Sequence, residues 1–295
     1  MKESNAAQRL AAVLDDGLPN AAAGSAAPCL EVCSLSQARR VAAMLDLPAD
    51  GLSEGVDLPR GWHFFLLGAD TRRSKLRADG FPGLGVPMPE LGLPRLLLVG
   101  RDVTYHGDLP IGARVLRHSA TQNVAQKTSG AGPMAVATIA HTLQVEGESD
   151  PAISETQTYM LLPALAAPSA DKPSPPYVIS AEERSRIVVP DDTLLFQSSA
   201  LGFNSHKIHI DRSHARQVEG FPDLVVNGGL ATLLLLEFMR SEFGLSPKAI
   251  RVKHLKPLFC RHPMTLFARR DGARCVLGAL NEKSALAIDM EVELA

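Results

Sequence analysis

Cysteines, aromatic residues and net charge are all scarce in this chain of 295 residues. Its four cysteines are too few for a disulfide framework, so we expect reduced thiols and a cytoplasmic protein. The 30 basic residues nearly balance 32 acidic ones, and a net charge of −2 offers no basic surface to nucleic acid. A hydrophobic content of 45% excludes an acidic, disordered chain.

Long apolar runs are absent as well. The longest, residues 230–236, is far shorter than the ~20 residues that a membrane-spanning helix needs. Residues 1–28 lack the basic start and the continuous apolar stretch of a secretory signal. We therefore expect neither nucleic acid nor a membrane as a partner.

A proline-rich stretch divides the chain. Residues 164–176, ALAAPSADKPSPP, contain four prolines among small residues and are typical of a surface linker. A length of 295 residues also favours two domains. We therefore predict an N-terminal domain over residues 1–163, a linker over 164–176 and a C-terminal domain over 177–295.

The second half combines one apolar helix with alternating strands. Residues Gly228–Ser241 are apolar over most of the helical surface, which predicts a buried helix. Period-two alternation then predicts antiparallel strands around Ile250, over 264–268 and 275–279, and finally over 286–294. Asp271-Gly272 suits the turn of a hairpin.

The first half has a related pattern. Apolar spacing predicts a surface helix over Ser34–Leu45 with Ser34 as its N-cap. Strand-like segments follow at Arg95–Tyr105, Ala113–Ala125, Met134–Val145 and Ile153–Leu161. Because each half ends in an antiparallel meander, we expect an internal duplication.

A cluster of histidines precedes the apolar helix. His206, His209 and His214 lie in the string FNSHKIHIDRSHA, which VEGFPDLVVNGG follows up to the start of the helix. These strings resemble the MaoC-like hydratase/dehydratase family, in the branch of type 2 hydroxyacyl-thioester dehydratases and of mesaconyl-CoA and itaconyl-CoA hydratases. The resemblance implies an α+β double hot dog fold, in which an antiparallel sheet wraps a long helix in each of two tandem domains.

The resemblance extends weakly into the first half, at residues 62–65, 93–95 and 104–106, and it has two departures. The family's usual Asp, five residues before the histidine, is Asn204 here, as in the type 2 branch. The residue before the helix glycine, often His in the family, is Asn227. The implied reaction is reversible hydration of a 2-enoyl-CoA, or dehydration of a 3-hydroxyacyl-CoA. The first choice of acyl group is a short branched dicarboxylic one, as in mesaconyl-CoA or itaconyl-CoA.

This reaction assigns three catalytic roles. His209 can take a proton from water, because imidazole titrates near neutral pH. Asn204 does not titrate, but its carbonyl can accept a hydrogen bond from that water and orient it. Gly228 opens the buried helix, where unpaired backbone N–H groups can stabilise an enolate oxygen. Relief of close packing between helix and strand is the alternative role for this glycine.

The substrate-binding candidates have alternatives too. They are His206, Lys207, Arg212, Asn227 and Gly229. Lys207 and Arg212 could meet the CoA phosphates or lie on a solvated surface, and His206 could belong to the scaffold. His209 could be a satisfied core residue of an apolar strand, or it could bind a metal with His206 and Asp211. A third soft ligand is missing, so we expect no metal and no cofactor, with the CoA thioester as substrate.

Three rival functions stay open. One is a dehydratase for straight-chain 3-hydroxyacyl thioesters. Another is a thioesterase, which would need a carboxylate near the thioester, but we expect Glu237 to cap the far end of its helix or to pair with an arginine. The third is an acyl-CoA-binding protein without activity, which Asn204 and Asn227 favour. A homodimer is a further expectation.

Overall fold

The computed structural model describes residues 24–129, 132–164 and 175–295. Ten strands of this part of the chain form one antiparallel sheet. The first half contributes β1 (Cys29–Val32), β2 (Arg95–Tyr105), β3 (Arg114–Ser129), β4 (Gly132–Val145) and β5 (Ile153–Leu162). The second contributes β6 (Arg184–Val188), β7 (Pro247–His254), β8 (Met264–Asp271), β9 (Arg274–Leu280) and β10 (Leu286–Leu294).

The strand order is β1-β3-β4-β5-β2-β7-β10-β9-β8-β6, so each strand of the first half has a counterpart in the second. This mirrored order is the arrangement expected of an internal duplication. Strands β2 and β7 pair at the centre, with Arg101 opposite Val252 and Val103 opposite Ile250. The sheet is therefore continuous between the halves.

The helices are α1 (Leu35–Met44), α2 (Asp192–Leu201), α3 (Lys207–Ile210), α4 (Arg212–Gln217) and α5 (Gly228–Phe243). Short 3-10 turns occupy Trp62–Leu66 and Arg73–Lys75. The predicted cap of α1 is confirmed, since Ser34 Oγ accepts a hydrogen bond of 3.1 Å from the Gln37 amide. No helix of the described residues is long and apolar enough to cross a bilayer.

Helix α5 is apolar over most of its surface because protein covers most of it, and only its C-terminal end around Ser241 and Glu242 is exposed. The sheet covers one face, and the segment before the first 3-10 turn covers another. Gly61 has a φ of 102°, and a Cβ there would lie 2.6 Å from Leu236 Cδ1, so the close approach requires glycine. The predicted buried helix is confirmed, two residues longer than expected.

The main core is shared between the halves. One cluster of buried side chains joins Val41 and Val103 of the first half to Leu233 and Val252 of the second. The halves therefore share their main core across the β2–β7 ladder, while a second, smaller cluster around Ile139 belongs to the first half alone. The predicted linker falls largely on residues 165–174, which lie outside the described residues. The domain boundaries stay a prediction.

A hydrogen bond across the halves holds α5 in place. Trp62 Nε1 donates to Glu237 Oε1 at 2.7 Å, and Arg240 pairs with the same carboxylate. The expected pairing of Glu237 with an arginine is thus confirmed. Arg240 Nη2 also donates to the Arg60 carbonyl at 2.9 Å.

We predict that Glu237→Ala lowers the free energy of unfolding by about 1–3 kcal/mol, since it leaves the Trp62 donor without its acceptor. Urea unfolding followed by the fluorescence of Trp62, the one tryptophan, measures the change. Glu242→Ala is the control. Glu242 lies on the same helix, and its ion pair with Arg186 of β6 is partly exposed to solvent. Equal effects of the two substitutions would contradict the assigned role of Glu237.

Candidate active site

His209 lies on a single helical turn, α3, rather than on the apolar strand considered from sequence. Its ring is 7% exposed, and its Nδ1 is 2.7 Å from the carbonyl oxygen of Val225. Because a carbonyl only accepts, Nδ1 must carry the proton in this bond, which leaves a lone pair on Nε2. Burial lowers the pKa of His209 to about 4 against a smaller opposing effect of that bond. The imidazole is therefore neutral near pH 7, with a basic nitrogen of fixed identity.

Asn204 follows the end of α2 and lines the same cavity as His209. Its Oδ1 accepts a hydrogen bond of 3.0 Å from the His206 amide. The oxygen expected to hold water therefore already has one donor from the chain, and one lone pair remains. The water-orienting role of Asn204 stays a prediction.

The first turn of α5 ends at the cavity with one free donor. Asn227 is the N-cap, and its Oδ1 accepts from the amides of Gly229 at 2.8 Å and Leu230 at 3.4 Å. The amide of Gly228 has no hydrogen-bond acceptor among the described residues. A Cβ on Gly228 would lie 3.1 Å from His254 Cε1, so glycine at this position leaves the space beside its amide open. The free amide fits the predicted stabilisation of an enolate oxygen.

Asn227 has a structural role that the sequence prediction missed. Its oxygen caps the helix, while its Nδ2 lies 3.5 Å from His209 Nε2. The side chain thus links the base to the end of the helix. The sequence did contain a signal for this role, because Ser, Thr, Asp and Asn are the preferred residues at the N-cap of a helix.

Of the other substrate-binding candidates, His206 and Gly229 line the cavity, whereas Lys207 and Arg212 do not. Lys207 Nζ donates to the Ala78 carbonyl at 2.7 Å. Arg212 forms ion pairs with Asp192 at 2.6 Å and Asp223 at 2.7 Å. Nearby acceptors hold both cations outside this cavity, and their contact with the CoA phosphates stays a prediction.

The alternative metal site is not assembled. His206 Nε2 is 3.7 Å from Asp79, and His209 uses its Nδ1 for the Val225 carbonyl. Within the described ranges, no three His, Cys, Asp or Glu side chains are grouped to hold a metal ion. Burial, and then the neighbouring His209, lower the pKa of His206 to about 3. His206 therefore contributes a neutral ring to the cavity wall.

A polar wall from the first half was missed altogether. Arg101 on β2 lines the cavity, as do His141 on β4 and the β5 residues Gln157 and Tyr159. Behind them lies Glu155, which is 3% exposed. The signal was present in β5, where Glu155, Gln157 and Tyr159 alternate on one face of a strand.

Glu155, behind this polar wall, is the group that the surrounding polar side chains contact. Its Oε2 is 3.0 Å from His63 Nε2, and its Oε1 accepts from Gln157 Nε2 at 2.6 Å and lies 3.2 Å from Arg101 Nη1. Burial alone would raise the pKa of Glu155, but Arg101 and the bond to His63 outweigh it and lower that pKa to about 2. The carboxylate is therefore charged at neutral pH.

The cavity encloses about 370 Å³ between the two halves. The second half supplies Asn204, His209 and the Gly228 amide, and the first half supplies the polar wall and apolar side chains such as Phe64 and Leu98. No aspartate or glutamate is among the described lining residues. A mostly apolar cavity with a few convergent polar groups is typical of a small-molecule site.

Known proteins are similar to this chain in sequence and in fold. A family model described as "Hydroxyacyl-thioester dehydratase type 2" matches residues 61–260. The mesaconyl-C(4)-CoA hydratase of Chloroflexus aurantiacus is 34% identical over 267 residues, which cover 90% of this chain and 93% of that protein.

Two solved structures resemble the fold. A MaoC-like dehydratase from Phytophthora capsici gives a TM-score of 0.65 at 13% identity and covers 93% of this chain and 95% of its own. A Mycobacterium tuberculosis protein described as a double hot dog gives 0.54 at 14% identity and covers 94% and 96%. The predicted double hot dog fold is confirmed.

The buried, neutral histidine makes stability depend on pH. The pKa of His209 is about 4 in the folded chain and about 6.5 for an unperturbed histidine, as in the unfolded chain, so on acidification the unfolded chain binds the proton first. Stability is thus complete above pH 6.5 and falls between pH 6.5 and 4. We predict that His209→Gln reduces the pH slope of the unfolding free energy in this window by about 1.4 kcal/mol per pH unit.

Urea unfolding at several pH values measures this slope. His118→Gln is the control, because that side chain lies on β3 and is exposed to solvent in the folded chain. An unchanged slope in His209→Gln would show that the folded ring binds its proton as readily as the unfolded one.

Proposed function

The chain belongs to the type 2 hydroxyacyl-thioester dehydratase family, and we propose that it reversibly adds water to the double bond of a 2-enoyl-CoA. The observation that carries this proposal is the meeting of two groups in one cavity: a neutral His209 whose Nε2 carries no proton, and the amide of Gly228, which has no acceptor among the described residues. A base and a donor for developing negative charge are what the reaction needs.

In the forward step, His209 Nε2 takes a proton from water as the oxygen bonds to the β-carbon. The alkene electrons move towards the thioester, whose oxygen becomes an enolate beside the Gly228 amide. The proton on Nε2 then passes to the α-carbon, which restores the thioester and the neutral imidazole. Because burial lowers the pKa of His209 to about 4, its protonated form is a strong acid and returns the proton readily. Dehydration is the reverse sequence.

The helix geometry supports the role of Gly228. The N-terminus of a helix favours negative charge, and α5 presents its remaining free N–H to the cavity. Asn227 fixes this end of the helix before the substrate arrives. A donor fixed in advance stabilises the enolate without reorganising during the reaction.

For the acyl group, we propose a short branched dicarboxylic one, as in mesaconyl-CoA or itaconyl-CoA. The similarity of 34% to a mesaconyl-C(4)-CoA hydratase supports this choice. A straight-chain 3-hydroxyacyl thioester is the rival substrate. Thioester hydrolysis is disfavoured, since Glu237 bonds to Trp62 and Arg240 and does not line the cavity.

We further propose that the enzyme acts in the cytoplasm, as a homodimer and without a cofactor. All four cysteines are free thiols, which suits a reducing compartment. The hydration needs only proton transfer and charge stabilisation, which the side chains and amides of the cavity can supply. CoA serves as the handle of the substrate.

We predict that His209→Ala lowers kcat by ~10²–10⁴, the usual range for loss of a general acid–base group. The assay follows loss of the conjugated enoyl-thioester absorbance with a mesaconyl-CoA and a crotonyl-CoA substrate, beside a parallel measurement of free thiol. His106→Ala is the control, since His106 is exposed on the loop after β2. A folded His209→Ala enzyme with unchanged turnover would remove the base from this mechanism.

We predict that Gly228→Val lowers kcat/KM by ~10² or more, because the new side chain displaces the thioester from the amide donor. The Cβ alone would lie 3.1 Å from His254 Cε1 and 3.2 Å from Leu98 Cδ2. Gly51→Ala provides the control, as a Cβ there meets nothing within 4 Å. Full activity in a folded Gly228→Val enzyme would place the enolate oxygen elsewhere.

A further inference from the structure

We propose that Arg101 binds a free carboxylate on the acyl group and thereby selects dicarboxylic over uncharged acyl-CoA substrates. The inference rests on the proposed hydration of an enoyl-CoA and assigns a specificity-determining residue to it. Arg101 is 5% exposed, lines the cavity and comes from the half of the chain that lacks the base.

The surroundings hold the guanidinium rigidly. Arg101 lies on β2 with Gln157 of β5 on one side and Val252 of β7 on the other. Its guanidinium carbon sits 3.8 Å from the centre of the Phe64 ring, an arrangement that favours a cation. An arginine keeps its charge even when buried. The cavity wall therefore contains a fixed positive charge.

This charge is incompletely satisfied by protein. The Arg101 Nη1 to Glu155 Oε1 distance is 3.2 Å, yet Nη1 and Nε both lack a hydrogen-bond acceptor among the described residues. Both oxygens of Glu155 already accept other bonds, from Gln157 and His63. Buried donors of a charged group are costly to leave unpaired. Nη1 and Nε are themselves enclosed by protein, so a ligand carboxylate in the cavity would meet the guanidinium at Nη2, which lies beside Gly229.

Arg101 also lies close to the end of α5, where we place the thioester. Its Nη2 is 3.6 Å from the position of a Cβ on Gly229, the residue after the proposed oxyanion donor. Asn227 joins the same helix end to His209, with its Nδ2 3.5 Å from Nε2. In a four-carbon dicarboxylic enoyl thioester, only the alkene carbons separate the thioester carbonyl from the free carboxylate. Base, amide and arginine are thus grouped on the scale of such an acyl group.

The other ionisable groups of the cavity do not repel an anion. Burial lowers the pKa of His141 to about 4, and burial together with Arg101 lowers that of His254 to about 3, so both rings are neutral. No described lining residue is acidic. Glu155 behind the wall is charged, and its oxygens lie 3.0 Å from His63 Nε2 and 2.6 Å from Gln157 Nε2 as well as 3.2 Å from Arg101 Nη1.

Binding of two saturated thioesters tests the inference without turnover. Calorimetric titration compares succinyl-CoA, which has a free carboxylate, with butyryl-CoA, which has none. We expect the wild-type enzyme to bind succinyl-CoA more tightly, and Arg101→Gln to weaken succinyl-CoA by ~10²-fold while butyryl-CoA changes by less than about threefold. The double variant Arg101→Met/Glu155→Gln removes both charges and guards against misfolding through an unpaired Glu155.

Arg251→Gln is the matched control, because this arginine pairs with Asp102 on the exposed side of the same β2–β7 ladder. Equal wild-type affinities for the two thioesters, or a preference for succinyl-CoA that survives in the folded double variant, would overturn the inference. Hydration of mesaconyl-CoA and of crotonyl-CoA by wild type and variants is measured in parallel. If no enoyl-CoA is hydrated, the proposed function fails, whatever the binding preference; if hydration persists without the preference, only the inference fails.

Discussion

The pairing of β2 with β7 is the interaction on which the cavity depends. This ladder joins the two halves into one sheet and sets the face to which each side chain of the seam points. Arg101 and Leu98 come from one side of it, and His254 from the other, and all three line the cavity. A slip of one residue in β2 would turn Arg101 to the opposite face. The register of one strand pair therefore determines the composition of the cavity wall.

The two halves of the chain contribute different kinds of groups to the cavity. The second half holds His209, the proposed base, and the end of α5, and the first half holds the charged network around Glu155. Burial keeps the histidines of the wall neutral, while Arg101 keeps Glu155 ionised. Burial favours the neutral form of both kinds of group, but the carboxylate stays charged because Arg101 is its counter-charge.

Local patterns in the sequence predicted much of the fold. The bounds of β2 agree with the alternation of its residues, and α5 begins at the predicted glycine. Both elements carry strong periodic signals. Strands β1 and β6 were missed, since they are short edge strands whose partners lie far along the chain. His209 was considered on a strand, but four residues form a helical turn that no periodicity could reveal.

The site was predictable only where chemistry and sequence neighbours coincide. The motif around His209 and the glycines before α5 are contiguous strings, so the resemblance to a family could identify them. Arg101, Glu155 and His63 are distant in sequence and meet only through the pairing of β2 with β5 and the turn at Trp62. The sequence could not show that Lys207 and Arg212 lie outside this cavity, because the acceptors that hold them, such as Asp192 and the Ala78 carbonyl, are not adjacent to them in sequence.

The mirrored strand order has a stoichiometric consequence. The counterpart of α5 in the first half is α1, which begins Leu35-Ser36 where α5 begins Gly228-Gly229. Its cap, Ser34, bonds to Gln37, and no glycine exposes the end of this helix. A pair of identical halves would repeat every residue and build two equivalent centres. Among the described residues, His209 and the Gly228 amide come from the second half alone, so the first half was free to diverge into the polar wall.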